Sequence, residues 1–198
     1  MKITIIDTGL ANLYSLKIAL NRLGVEPTIS ADAKDILNAD RLFLPGVGAA
    51  GPAMATLKSR GLAELIPQCK QPLLGICLGM QLLGQKSSES GGTPLLNIID
   101  VACEKLTAQP PLTLPHMGWN RVNLHAASPL FRGIIAETHF YFVHSFHFAL
   151  NPYMIASTSH GVPFCAAIAR DNFYGVQFHP ERSGKAGAQL LENFLEAL

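Results

Sequence analysis

Residues 72–79 read Pro72-Leu73-Leu74-Gly75-Ile76-Cys77-Leu78-Gly79, an apolar run that ends in a cysteine held between two glycines. Pro72–Ile76 has the length and composition of a buried strand, and helical spacing starts at once, from Leu78 to about Gln85. A strand that becomes a helix within one residue makes a tight turn, and flanking glycines let the backbones approach. This is the nucleophile-elbow pattern with sulfur in place of oxygen. It sets the Cys77 sulfur at the positive end of a helix dipole, which favours a thiolate. It also aims the Leu78 N–H at the place where an oxyanion would develop. Free cysteine is commonly a plain core residue, so the elbow alone is a moderate signal.

Upstream, the chain alternates between two periods. Lys2–Ile6, Glu26–Ile29 and Arg41–Leu44 read as strands, the last halted by Pro45-Gly46. Between and after them, Leu13–Leu23, Asp32–Leu37, Pro52–Arg60 and Leu62–Gln68 carry helical spacing. Alternating strands and helices predict an α/β fold with a mostly parallel sheet covered on both faces. Ligands of such sheets sit at the C-terminal edge of the strands.

Downstream the pattern changes to short strand-like runs, at Ile98–Leu106, Trp119–Leu124, His139–Val143, Met154–Ser159, Phe164–Arg170 and Phe173–Phe178. They predict an antiparallel extension joined to the parallel sheet. A helix over Ala186–Ala197 closes the pattern, and without repeats or a long linker residues 1–198 read as a single domain.

Two further segments bear on Cys77. Gly175-Val176-Gln177-Phe178-His179-Pro180-Glu181 ends a predicted strand with a histidine and, two residues on, a carboxylate. In extended chain those two side chains share a face, so Glu181 would orient the His179 ring. The imidazole would then take the thiol proton and return it to a leaving amine. Leu44-Pro45-Gly46-Val47-Gly48 also stands at a strand end, where Gly46 and Gly48 free the backbone to approach a ligand and offer a second oxyanion N–H. Alone, His179 would be a core or capping histidine, Glu181 a solvated acid and the glycine loop a plain turn.

Composition narrows the setting. The 198 residues are 48% hydrophobic, enough for a well-filled core. Fifteen basic and 14 acidic residues leave a formal charge of +1, which gives no reason to expect nucleic acid or an acidic membrane surface as partner. The opening apolar run is too short for a signal peptide and no stretch is long enough for a membrane span, so a cytoplasmic location is expected. Cys69, Cys77, Cys103 and Cys165 have no CxxC spacing, and disulfides are not expected in that compartment. His139, His144 and His147 cluster in sequence, but strand alternation separates the first two and no metal site is predicted.

Taken together, Cys-Leu-Gly in the elbow, His-Pro-Glu downstream and the Pro-Gly-Val-Gly loop resemble the class I, triad-type glutamine amidotransferases, whose fold is flavodoxin-like. More narrowly, Leu44–Gly48, Gly75–Leu83, Pro115–Asn120 (PHMGWN), Tyr141–Ser145 (YFVHS) and Gly175–Ser183 resemble the glutaminase subunits of imidazole glycerol phosphate synthase. The likeness runs in register from Asp7 to the closing helix. PHMGWN and GMQ are its more specific parts, since other triad glutaminases commonly carry His where Met80 stands.

The resemblance implies Cys77 as nucleophile, His179 as general acid–base, Glu181 as its orienter, and Leu78 and Val47 as oxyanion donors. It implies that Gln81 and the backbone of His144, Ser145 and Phe146 hold glutamine, and that no cofactor is used. The implied partner is a separate barrel-shaped cyclase subunit, which receives ammonia, with Asn12, Trp119, Tyr141 and Arg182 at the interface. Two departures from the family's usual pattern stand out: Asp7-Thr8-Gly9-Leu10-Ala11-Asn12 for the usual Asp-Tyr-Gly-x-Gly-Asn, and Phe146 for a frequent Tyr. The competing readings are another ammonia-channelling synthase, a cysteine hydrolase on the same elbow, and a scaffold subunit without chemistry.

Overall fold

A computed structural model of the chain describes residues 1–9 and 13–196. The first half alternates as its periodicity predicts. Its elements are β1 (Ile3–Ile6), α1 (Leu13–Arg22), β2 (Thr28–Ser30), α2 (Ala33–Leu37), β3 (Arg41–Gly46), α3 (Ala50–Ser59), α4 (Leu62–Leu65), β4 (Leu73–Cys77) and α5 (Leu78–Leu82). The second half adds β5 (Lys86–Ser87), β6 (Thr93–Pro94), β7 (Ala102–Lys105), β8 (His116–Leu124), β9 (Thr138–His144) and β10 (Phe146–Phe148). It ends with β11 (Met154–His160), β12 (Val162–Arg170), β13 (Phe173–Val176) and α6 (Gly184–Glu196).

A nine-stranded sheet runs in the order β2-β1-β3-β4-β13-β12-β11-β8-β9. Strands β1 to β4 pair in parallel, and β11, β12, β8 and β9 form the antiparallel extension. The strand at the junction, β13, differs from the expectation that all the later runs are antiparallel. It is antiparallel to β12 but parallel to β4, with Gly175 opposite Gly75 and Val176 opposite Ile76. Pairing direction is not written in a four-residue apolar run. Here it decides the site, because the chain leaves β13 at the same edge as it leaves β4.

Several boundaries differ from those the periodicity suggests, and two of the differences turn on a proline. Strand β3 continues through Pro45 and Gly46, opposite Ile76 and Cys77. The Leu42 N–H points to β4, so by alternation the missing N–H of Pro45 faces the β1 side, where pairing has already ended at Phe43. The helix expected over Leu62–Gln68 gives way to a 3-10 turn at Ile66–Gln68, where Pro67 cannot donate. The helix after the elbow is one turn, not two.

The short strands β10, β7, β5 and β6 form a second, four-stranded sheet. β7 falls within the strand-like run Ile98–Leu106, but its partners β5, β6 and β10 are runs of two or three residues that leave no periodic signal, so the sheet they form is not legible in the sequence. Two apolar clusters flank the main sheet: Phe43, Phe140, Phe178 and Phe194 belong to one, and Leu42, Leu57, Leu82 and Phe148 to the other. The central strands are covered on both faces, and every residue of Leu73–Cys77 is buried. Among the described residues no helix is long and apolar enough to cross a membrane.

Candidate active site

Cys77 is the last residue of β4 and sits directly before α5, at φ 54° and ψ −111°. A non-glycine residue in that region is strained and persists only where the surroundings enforce it. The enforcing contacts are backbone on backbone. A Cβ on Gly79 would overlap the Leu44 carbonyl, and one on Gly75 would lie 2.6 Å from the Gly79 oxygen. Glycine at both positions lets β3, β4 and α5 close on one another and lifts Cys77 out of the strand. Cys77 is 6% exposed, and its sulfur lies 3.7 Å from the Val143 carbonyl and 3.7 Å from the Gln177 side-chain amide.

His179 and Glu181 reach this point by a different local geometry from the one the strand pattern suggests. β13 ends at Val176, and Pro180–Arg182 is a 3-10 turn with His179 at its start. The tight turn, rather than an extended i to i+2 register, brings His179 Nδ1 to 2.8 Å from Glu181 Oε1. Both side chains are under 10% exposed. Ser183 Oγ donates to the His179 carbonyl at 2.7 Å and accepts from the Tyr141 N–H, while the His179 N–H donates to the Tyr141 carbonyl. The turn is thus anchored to β9.

Among the described residues, His179 Nε2 and Glu181 Oε2 are buried without a partner of good hydrogen-bond geometry. Such atoms are uncommon and call for a functional explanation. Burial alone would lower the imidazole pKa, but the neighbouring Cys77 sulfur and the Glu181 carboxylate outweigh it and raise the value from 6.5 to about 10. An imidazole held between a sulfur and a carboxylate is suited to accept a proton from the one while steadied by the other.

Because folding raises the His179 pKa, the protonated ring adds stability in full below pH 6.5, and that stability is lost as the pH rises through about 10. The stability difference between wild type and Glu181→Gln, from denaturant unfolding at several pH values, should therefore shrink steadily across that window. A pH-independent difference would show that the pair is not ionic.

These groups open on a cavity of about 510 Å³, within the range that holds a small polar metabolite. Gly46, Val47, Gly48 and Leu78 line it, as do Gln81, His144, Ser145 and Phe146. Of the residues singled out on a partner-facing surface, Trp119 and Tyr141 lie off the cavity. They pair across β8 and β9 with ring centroids 6.2 Å apart, beside Met117; Trp119 and Met117 are 56% and 63% exposed. Arg182 is exposed at the cavity rim. Asn12 lies outside the described residues. His139 is exposed, whereas His144 and His147 are buried, and among the described residues no three His, Cys, Asp or Glu side chains converge as metal ligands.

Sequence reading misses three residues. Glu89 lines the cavity, and its Oε2 caps α3 by accepting from the Ala50 N–H at 2.6 Å. Gln177 is fully buried and joins Gln81 to the sulfur: Gln81 Nε2 donates to Gln177 Oε1 at 3.0 Å. His116, in the PHMGWN segment, is buried against His144. For Gln177 and His116 the signal available was polarity at positions that strand alternation assigns to the core; for Glu89 there was none.

Residues 4–198 match the family described as glutamine amidotransferase class-I. The imidazole glycerol phosphate synthase subunit HisH of Salmonella typhimurium is 57% identical over 196 residues, covering 99% of this chain and 100% of that protein. The subunit HisH of Escherichia coli strain K12 gives the same identity and coverage. Among solved structures, the glutaminase domain of the Trypanosoma brucei protein CTPS, with bound acivicin, superposes with a TM-score of 0.67 at 14% identity, over 99% of this chain and 94% of that one. At that identity the likeness is one of fold.

Proposed function

The chain belongs to the class-I glutamine amidotransferases and, within them, to the HisH subunits of imidazole glycerol phosphate synthase, and from that premise we propose how its residues act. It is the glutaminase subunit of that synthase, serving histidine biosynthesis. The observation that carries the assignment of roles is the convergence of Cys77, His179 and Glu181 from two parallel strand ends on one cavity.

His179, held by Glu181, takes the proton of the Cys77 thiol. The thiolate attacks the side-chain amide carbon of glutamine, and the oxygen becomes an anion in the tetrahedral intermediate. The N–H groups of Leu78 and Val47 stabilise that anion. Collapse breaks the C–N bond; the nitrogen takes the proton from His179 and leaves as ammonia. A γ-glutamyl thioester remains on Cys77. Water, deprotonated by His179, then attacks it, the C–S bond breaks, and glutamate is released with the thiol restored.

Gln81 and the 144–146 backbone hold the glutamine, with Gly46 and Gly48 leaving room for it. Glu89, the acid of the cavity lining outside the triad, would receive the α-ammonium group. The chemistry uses side chains and backbone alone, without a cofactor. The ammonia passes to a barrel-shaped cyclase subunit seated on Met117, Trp119, Tyr141, Arg182 and Asn12, which makes imidazole glycerol phosphate and a carboxamide ribonucleotide. An exposed tryptophan packed on a half-buried tyrosine and flanked by an exposed methionine is the composition of an interface anchor.

The test is ammonia release from glutamine, measured with the chain alone and with the cyclase and its nucleotide ligand. Low activity alone and a rise on adding the partner are expected. Trp119→Ala should weaken association by about tenfold or more while leaving the thermal stability of the isolated chain unchanged, since the ring is more than half exposed. Full activity in the isolated chain, or unaltered association, would contradict the assignment of partner and surface.

A further inference from the structure

Strand β8 turns Met117 and Trp119 outward, while His116 on its other face is 4% exposed and begins a hydrogen-bond chain. His116 Nδ1 lies 2.9 Å from His144 Nε2, and His144 Nδ1 lies 2.9 Å from the Phe146 carbonyl oxygen. On the other side, Asn120 Nδ2 lies 3.1 Å from His116 Nε2 and 2.9 Å from the Ser159 carbonyl.

The protons in this chain can be placed by elimination. A carbonyl only accepts, so His144 Nδ1 carries hydrogen. A neutral imidazole then has an accepting Nε2, which obliges His116 Nδ1 to donate. His116 Nε2 is left to accept from the Asn120 amide. Neutrality follows from the surroundings: burial, then the charge of His160, lowers the His116 pKa to about 4, and burial lowers that of His144 to about 3 against the opposing Phe146 carbonyl. His116 is also clamped as a plate, stacked between Phe142 and His160 with centroids 4.9 and 4.3 Å away.

The far end of the chain is in the cavity wall. Phe146 O accepts a second hydrogen bond from Gln81 Nε2 at 2.8 Å, and Gln81 continues through Gln177 to the Cys77 sulfur. Residue 145 is the whole connection between β9 in the large sheet and β10 in the small one. Its carbonyl is taken by the Leu106 N–H. The next peptide is held on one side by the pairing of β10 with β7 and at its carbonyl by the two donors on Phe146 O.

We propose that His116 is a positioning residue for the glutamine site: its Nδ1–H fixes the His144 tautomer, and His144 with Gln81 holds the Phe146 carbonyl in the lining of the cavity that Cys77 shares. This rests on the reading of the cavity as a glutamine site. His116 touches no substrate and acts through His144. Trp119 on the outward face of β8 and His116 on its inward face thus share one strand.

Two substitutions and one spectrum test it. His116→Phe keeps the stacked ring and removes the donor; in the complex with the cyclase, KM for glutamine should rise about tenfold, with kcat within about threefold and ammonia-dependent synthesis unchanged. His116→Asn places an amide N–H near the former Nδ1–H and should bring KM back to within about threefold of wild type. Imidazole ¹⁵N spectra of the wild-type chain at neutral pH should show both His116 and His144 as Nδ1–H tautomers, a readout that holds even if a variant fails to fold. An Nε2–H form at either ring, an unchanged KM in a folded His116→Phe, or no rescue by His116→Asn would overturn the proposal. Absence of glutamine hydrolysis in the wild-type complex would instead overturn the functional reading, leaving the tautomer result to stand by itself.

Discussion

Cys77→Ala, assayed in the reconstituted complex, is expected to lose glutamine-dependent synthesis by about 10⁴-fold or more while synthesis from free ammonia stays intact. The size follows from the role. Alanine leaves no nucleophile, so the two-step route through a thioester is closed and only direct attack by water remains. The fold should be indifferent, because alanine at φ 54° bears much the same backbone strain as cysteine and fills most of the same space. Retention of the ammonia-dependent reaction separates loss of chemistry from loss of assembly. Residual glutamine-dependent activity near the wild-type level would remove Cys77 from the mechanism.

The second large effect is on stability. Gly79→Ala puts a methyl group onto the Leu44 carbonyl, an overlap between backbone atoms that no side-chain rotation relieves. β3 and α5 would have to part, disturbing the elbow and the Gly46 wall together. We expect a loss of more than about 3 kcal/mol, or failure to fold, read by denaturant unfolding. Gly24→Ala makes the control: its φ of +80° imposes backbone strain, but nothing lies within 4 Å of the added Cβ. That variant should cost only about 1 kcal/mol. Equal losses in the two variants would refute the close approach as the device that shapes the turn.

The elbow was legible because its parts are local. An apolar strand, a cysteine and two glycines in sequence suffice to predict that a nucleophile stands at a strand end. The partnership with His179 was legible as chemistry but not as geometry. Sequence alternation suggested an extended pair, whereas Pro180 starts a 3-10 turn and the tight backbone supplies the 2.8 Å contact with Glu181. What joins the two halves is the parallel pairing of β13 with β4, a long-range choice that four apolar residues cannot announce.

The polar framework was the least legible. Gln177 reads as one polar residue in a strand, and only the fold shows it bridging Gln81 and Cys77. Glu89 sits in a polar, glycine-rich stretch that offers no periodicity, yet it reaches back to cap α3 and lines the cavity. His116 and His144 are 28 residues apart and meet only because β8 and β9 pair in the register that sets them opposite. Hydrogen-bond networks of this kind depend on strand register, which is a property of the assembled sheet.

The helix dipole expected to favour a thiolate at Cys77 belongs to a helix of only five residues. Such a short helix carries few aligned peptides. The electrostatic feature present at the site is instead the His179 imidazole, whose pKa, lowered by burial, is raised on balance by the Cys77 sulfur and the Glu181 carboxylate. The proposed glutaminase mechanism rests on a relay of Cys77, His179 and Glu181 and on the strained turn at Cys77.

The most direct measurement of that claim is mass spectrometry of the complex with the cyclase, acid-quenched during turnover with glutamine. A γ-glutamyl adduct on the peptide that contains Cys77, absent from Cys77→Ala, is the expected result. Ammonia release with no adduct at Cys77, or with the adduct on Cys69, Cys103 or Cys165, would contradict the account.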